Sequence, residues 1–206
     1  MFSAFITGFF LGLSLIVAIG AQNAFVIRQG ILRQHIFYTA LFCSISDALL
    51  IIVGIVGISY FLNDLFFEYS KIIYGISAIW LFAYGFMRIR SAFKSKSIEL
   101  SNDSKQKSLL NSISIIAALT YLNPHVYLDT VILIGSVSQQ FSEINRIYFA
   151  VGACFASFVW FFGIAYGAKL LAPMMQKPSH WRILDSLIAL IMFVIAINLA
   201  YQGGLI

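Results

Sequence analysis

Long runs without charge alternate with short polar stretches along this 206-residue chain. A helix needs about 20 mostly apolar residues to cross a bilayer core, and six runs reach that length. The first extends from Phe2 to Ile27, with no charge before Arg28, and the second from His35 to Leu62, with Asp47 as its only charge. The third covers Ile72 to Phe93 and closes on Arg88 and Arg90, while the fourth covers Leu109 to Val137 and contains Pro124 and Asp129. The fifth and sixth cover Tyr148 to Leu171 and Ile183 to Tyr201. Barrel strands would be about 9 to 11 residues with alternating polarity, which these runs are not. The pattern predicts an all-α membrane protein of six transmembrane helices. The first run lacks the basic leader and small-residue cleavage site of a signal peptide and reads as a retained helix. Lys94–Ser108 (KSKSIELSNDSKQKS) is the one stretch that reads as a solvated linker, and it separates a first three-helix half (1–93) from a second (109–206).

Composition excludes a water-soluble protein. Apolar residues make up 61% and charged residues 10% of the chain, against about 45–50% and 25% in soluble domains. Mean hydropathy is +0.92. The net charge of +5 then needs no nucleic acid to explain it, because basic loops meet cytoplasmic lipid headgroups. Arg28 and Arg33 follow the first run; Arg88, Arg90, Lys94, Lys96, Lys105 and Lys107 follow the third; Lys169, Lys177 and Arg182 follow the fifth. Eleven of the thirteen bases thus fall on one side, leaving Lys71 and Arg146 opposite. Both termini are expected to face outward, and a single re-entrant run would make the count five. Two three-helix halves entering from opposite sides form an inverted pair, an arrangement that in secondary transporters places the substrate site between the repeats. The segments around Asn23 and Asn123 can be overlaid at an offset of 100, although Asn23 lies near the end of its run and Asn123 near the middle.

Ionisable groups at membrane depth cost about 2.5–3.5 kcal/mol at a helix centre and mark functional candidates. Asp47 and Asp129 are the two expected here. Ala40, Ser44, Asp47 and Gly54 share one helical face, so Asp47 should look into the bundle, either as a neutral hydrogen-bonding group or as a cation or proton site. Asn123, Pro124, His125, Tyr127, Asp129 and Thr130 crowd one stretch of the fourth run. Pro124 cannot donate to the Thr120 carbonyl, which predicts a helix break, and His125 and Asp129, at i and i+4, could bond each other. Gln22 and Asn23 follow Gly20-Ala21 and fit either an interrupted helix end or an interhelical hydrogen bond. Gly8-x-x-x-Gly12 and Gly163-x-x-x-Gly167 read as packing seams, within one chain or across a homodimer. Trp80, Trp160 and Trp181 read as interfacial anchors or packing. Cys43 and Cys154 form no metal-binding or disulfide spacing, and no metal or other cofactor is expected.

The segments GAQNAFVIRQGI (Gly20–Ile31) and TYLNPHVYLDTVILIG (Thr120–Gly135) closely resemble the signature regions of the LysE-type basic amino-acid exporters, the arginine-exporting branch above all. The resemblance runs the length of the chain, and the Gly20-Ala21-Gln22-Asn23 stretch stands where homoserine and threonine exporters carry Gly-Pro. It implies export of L-arginine, with L-lysine or canavanine as further cargo, across a bacterial inner membrane. It implies a substrate or coupling role for Asp47, Asp129, Asn23, Gln22, Asn123 and His125. A guanidinium suits a carboxylate, and outward movement of a cation against an inside-negative potential calls for coupling, with proton antiport the simplest form. The competing expectations are a neutral amino-acid or metal-ion exporter, a non-transporting subunit and an intramembrane aspartyl protease. The last lacks a Tyr-Asp or Gly-x-Gly-Asp motif, and a soft-metal site would want more than two cysteines.

Overall fold

The computed structural model describes residues 1–17, 20–58, 68–94, 108–173 and 178–205, all of whose regular structure is helical. Most of the polar linker, 95–107, lies outside the described residues. Helix α1 (Phe2–Ile16) is followed after a break by α2 (Ala21–Leu32), whose axis is turned 83° from it. Helix α3 (Ile36–Val53) continues as a π-helical segment, Gly54–Ile58, and α4 spans Ser70–Lys94. Helix α5 (Leu109–Tyr121) ends at a second break, after which α6 comprises Pro124–Val126, the π-helical Tyr127–Leu133 and Ile134–Ser138. Helices α7 (Glu143–Lys169) and α8 (Pro178–Gln202) complete the chain.

Among the described residues, four helical stretches are long and apolar enough to cross a membrane: Ile36–Val56, Lys71–Arg90, Glu143–Lys169 and Ser179–Gln202. Counting the bent pair α1–α2 as one span gives five. Two of the six expected runs are therefore broken rather than continuous, and α5 alone is too short to cross. The sixth run begins five residues earlier than expected, at Pro178 rather than Ile183, which carries Asp185 well inside the helix.

Long apolar side chains cover the outward faces of α4 and α8, while the helix contacts inside combine buried aromatics such as Tyr84, Phe149 and Phe161 with small residues. On α8, Ile183, Leu187, Leu190, Val194, Ile197 and Tyr201 form an exposed stripe at helical spacing, as does Ile72, Ile76, Ile79, Phe82 and Phe86 on α4. Lipid is as apolar as these residues, so only close backbone approach distinguishes the inner faces. Glycine supplies that approach where α1 meets α7. A Cβ on Gly8 would stand 2.1 Å from the Phe149 carbonyl oxygen, and one on Gly152 would stand 2.1 Å from that of Phe5. The Gly8/Gly12 seam is thus internal to the chain. Gly163 and Gly167 meet nothing within 4 Å and make no seam within it. Elsewhere Gly54 lies against Val131 and Gly135 against Gly54, so the two π-helical regions pack backbone to backbone.

Candidate functional site

Both helix breaks open onto one cavity of about 300 Å³. From the first break come Leu15, Ile16, Gly20, Gln22 and Asn23; from the second, Asn123, His125, Val126, Asp129, Thr130 and Ile134. Helix α3 contributes Asp47, α7 contributes Phe161, and α8 contributes Ile195 and Asn198. All six residues singled out in the sequence as substrate or coupling candidates therefore line the same space. The difference in depth expected between Asn23 and Asn123 disappears, because each stands beside its own helix break.

The first break is held by Asn23. Its Nδ2 donates to the Ile16 carbonyl (2.8 Å), and its Oδ1 accepts from Trp160 Nε1 (3.3 Å). A side chain in the first turn of α2 thus satisfies a carbonyl at the end of α1 and ties both to α7. The N-cap of α2 is Gly20, with no side-chain cap, and Gly20, Gln22 and Asn23 of this helix start line the cavity. Helix N-termini favour negative charge. The buried Gln22 Nε2 has no hydrogen-bond partner among the described residues. The amide lies beside the Asp47 carboxyl and the Cys43 thiol, so a small adjustment decides whether it donates to them or to a ligand in the cavity.

At the second break Asn123 is the N-cap, and its Oδ1 accepts from the His125 N–H at 3.2 Å. Pro124 occupies the first helical position, where its missing N–H costs nothing. The Thr120 carbonyl that the proline cannot serve accepts instead from the Asn123 N–H at 3.4 Å. Asp129 lies within the π-helical Tyr127–Leu133, a wider winding found often at functional sites. The bond expected between His125 and Asp129 does not form: no hydrogen bond or ion pair joins them among the described residues.

Asp47 is 3% exposed, and its Oδ2 accepts from Ser157 Oγ on α7 at 2.9 Å. Ala40, Ser44 and Gly54 are buried with it, as the stripe on α3 required. Asp129 and His125 are half-buried. Among the described residues the cavity lining holds two carboxylates and no Lys or Arg. Such a space suits a cation whose other end can accept hydrogen bonds from amides.

Sequence reasoning missed Asn198, Ser157 and Trp160, which carry no unusual cost in an apolar helix and gave no signal singly. It also missed a buried ionic cluster. Arg28, counted as a loop base, is 8% exposed and pairs with Asp185 at 3.2 Å; Arg88 reaches the same carboxylate at 3.7 Å. No group of three or more potential metal ligands occurs among the described residues.

The sequence matches the family model of the LysE type translocator over residues 13–203. It is 40% identical to "Arginine exporter protein ArgO" of Klebsiella pneumoniae subsp. pneumoniae, over 98% of this chain and 96% of that protein. Identity is 38% to the protein of that name from Pectobacterium carotovorum subsp. carotovorum, over 98% of this chain and 99% of the relative.

The chain belongs to the LysE-type translocator family.

It is therefore a transporter, not an enzyme, and a multi-pass membrane protein with bacterial relatives. A further relative of the same name from Photorhabdus laumondii is 40% identical over 100% of this chain and 99% of its own. No solved structure matches the chain.

Proposed function

We propose that this LysE-type translocator exports cationic amino acids, L-arginine first and L-lysine second, from the cytoplasm across a bacterial inner membrane. The observation that carries the reading is the cavity between the two helix breaks, with Asp47 and Asp129 in its wall and no Lys or Arg among the described residues that line it. Its volume of about 300 Å³ lies at the small end of ligand pockets, the size of one amino acid. The guanidinium meets a carboxylate, which it can engage through two parallel N–H···O bonds. The α-carboxylate lies toward the uncapped start of α2 and the Gln22 amide, both of which offer N–H donors. Asn123 and Asn198 complete the polar wall.

Export of a cation opposes an inside-negative potential by about 2.3 kcal/mol per charge per 100 mV. A carboxylate that binds the cargo in one half-cycle and a proton in the other offsets this cost, so the transport is proton antiport with Asp47 and Asp129 as the exchanging groups.

The chain crosses six times as two inverted halves, each a broken helix followed by two long ones. Three sets of contacts support this. Along α7, Gly8 of α1 meets Phe149, Asn23 of α2 meets Trp160, and Gly30 meets Ala165, so the first broken helix follows α7 from end to end. Along α3, Tyr121 of α5 bonds Ser46, Val131 of α6 meets Gly54, and Gln139 bonds the Ile55 carbonyl, so the second broken helix follows α3 in the same manner. Helices α4 and α8, third in each half, pack together, with Gly85 against Phe193 and Gly203 against Tyr74. The Gly163/Gly167 face, open within one chain, suits a second copy in a homodimer.

The test is efflux of labelled arginine, lysine and threonine from proteoliposomes loaded with each, with and without an imposed pH gradient. Saturable arginine and lysine efflux that responds to the pH gradient is expected. Threonine efflux alone would overturn the assignment of cargo.

A further inference from the structure

Arg28 and Asp185 lie apart from the cavity on two helices that line it, α2 and α8, and Arg88 joins them from α4, which does not line it. Arg28 follows Asn23 by five residues on α2, about 7 Å along the axis. Asp185 precedes Ile195 by ten residues on α8, about 15 Å. Both displacements point the same way, toward the ends of α2, α4 and α8 from which the basic connections leave. All three residues are buried, at 8%, 7% and 3% exposure for Arg28, Arg88 and Asp185. The cluster therefore stands between the level of the cavity and that face of the helices.

The cluster is badly satisfied for a purely structural device. Two guanidinium groups converge on one oxygen, Asp185 Oδ1, at 3.2 and 3.7 Å, which leaves an excess positive charge in a buried place. Arg88 Nε makes no close hydrogen bond among the described residues, and the Tyr84 hydroxyl has only the Arg88 guanidinium beside it. A buried ion pair contributes little net stability over well-packed apolar side chains, so helix packing alone gives no reason to keep this one. The surroundings suit guanidinium in particular. Arg28 lies over the Trp181 ring at 5.8 Å and Arg88 over the Tyr84 ring at 4.8 Å, and planar guanidinium stacks on such faces. Asp185 is thus a carboxylate that already holds the group carried by arginine, with each guanidinium lying over an aromatic ring.

Resting on the exporter reading, we infer that Asp185 is a second docking point for the cargo guanidinium, at the door between the cavity and the basic face, and that the chain's own Arg28 and Arg88 occupy it until cargo takes the place of one of them. In their paired state the two arginines tie α2 and α4 to α8 and close the door. An incoming guanidinium takes over one half of the bond, so that opening does not strand Asp185 without a partner.

The experiment measures arginine transport kinetics separately from each face, in inside-out and right-side-out vesicles containing the full chain. Asp185→Asn is expected to raise the arginine KM about tenfold from the basic face and to change it less than about twofold from the other. Asp185→Glu should restore most of that loss. Arg88→Gln removes a competitor for Asp185 and should lower KM from the basic face about threefold; this variant decides the matter if Asp185→Asn fails to fold. A purely structural cluster would instead lower kcat equally from both faces with KM unchanged, or raise KM in Arg88→Gln, and either result overturns the inference. Wild-type chain that moves no arginine from either face overturns the exporter reading beneath it.

Discussion

Replacing Asn23 with alanine removes the link that holds the first helix break. The side chain is 5% exposed and makes at least two bonds, to the Ile16 carbonyl at 2.8 Å and from the Trp160 indole at 3.3 Å. The truncation strands both partners in an apolar interior, where each unsatisfied group costs about 1–3 kcal/mol. Asn23→Ala should therefore destabilise the chain by about 2–4 kcal/mol. Trp160→Phe removes only the indole donor and should cost about 1 kcal/mol. Because both substitutions break one shared bond, the double variant should be less destabilised than the sum of the singles, with a coupling of about 1 kcal/mol. Unfolding followed by SDS titration in mixed micelles reads all four corners of this cycle. Asn23→Asp provides a control, since it keeps the acceptor for Trp160 and loses the donor to Ile16. Additivity within about 0.3 kcal/mol would refute the bond and with it the account of how the break is held.

The glycine contacts distinguish two superficially similar motifs. Gly152→Ala places a Cβ 2.1 Å from the Phe5 carbonyl oxygen and must force α1 away from α7, a cost of about 2 kcal/mol or more, whereas Gly163→Ala meets open space and should leave unfolding unchanged or improve it by up to about 1 kcal/mol. Thermal unfolding in detergent compares the two. Ser157→Ala removes the donor to Asp47 and should raise the arginine KM about tenfold while leaving the amount of folded protein unchanged, as read by vesicle efflux beside immunoblotting. Asn198→Ala, which only trims the cavity wall, should raise KM about threefold in the same assay.

Much of the site was legible because membrane depth makes polarity expensive. Asp47, Asp129 and His125 stood out against their runs, and Pro124 announced a break that the structure places where its absent N–H matters least. What could not be read was the effect of tertiary packing on cost. Arg28 was counted with a basic connection and Asp185, near the start of its run, was passed over, yet both are buried because they find one another across 157 positions. Ser157 and Trp160 are unremarkable alone and gain meaning only from the Asp47 and Asn23 they contact. Of the two helix breaks, the one at Pro124 was legible and the one before Asn23 was only one of two readings. The run from Phe2 to Ile27 is apolar throughout, and its break depends on Asn23 reaching back to Ile16, which hydropathy does not register. The Gly163/Gly167 spacing matches that of Gly8/Gly12, but only the latter faces another helix within the chain.

The most direct test of the cavity as the cargo site is saturable efflux of labelled arginine from proteoliposomes containing wild-type chain, Asp47→Asn or Asp129→Asn, with folded protein matched between samples. Wild-type efflux that falls at least about a hundredfold in either variant, with both variants folded, is the result predicted. Undiminished arginine efflux in both variants would contradict it, because neither cavity carboxylate would then be needed to hold the cation.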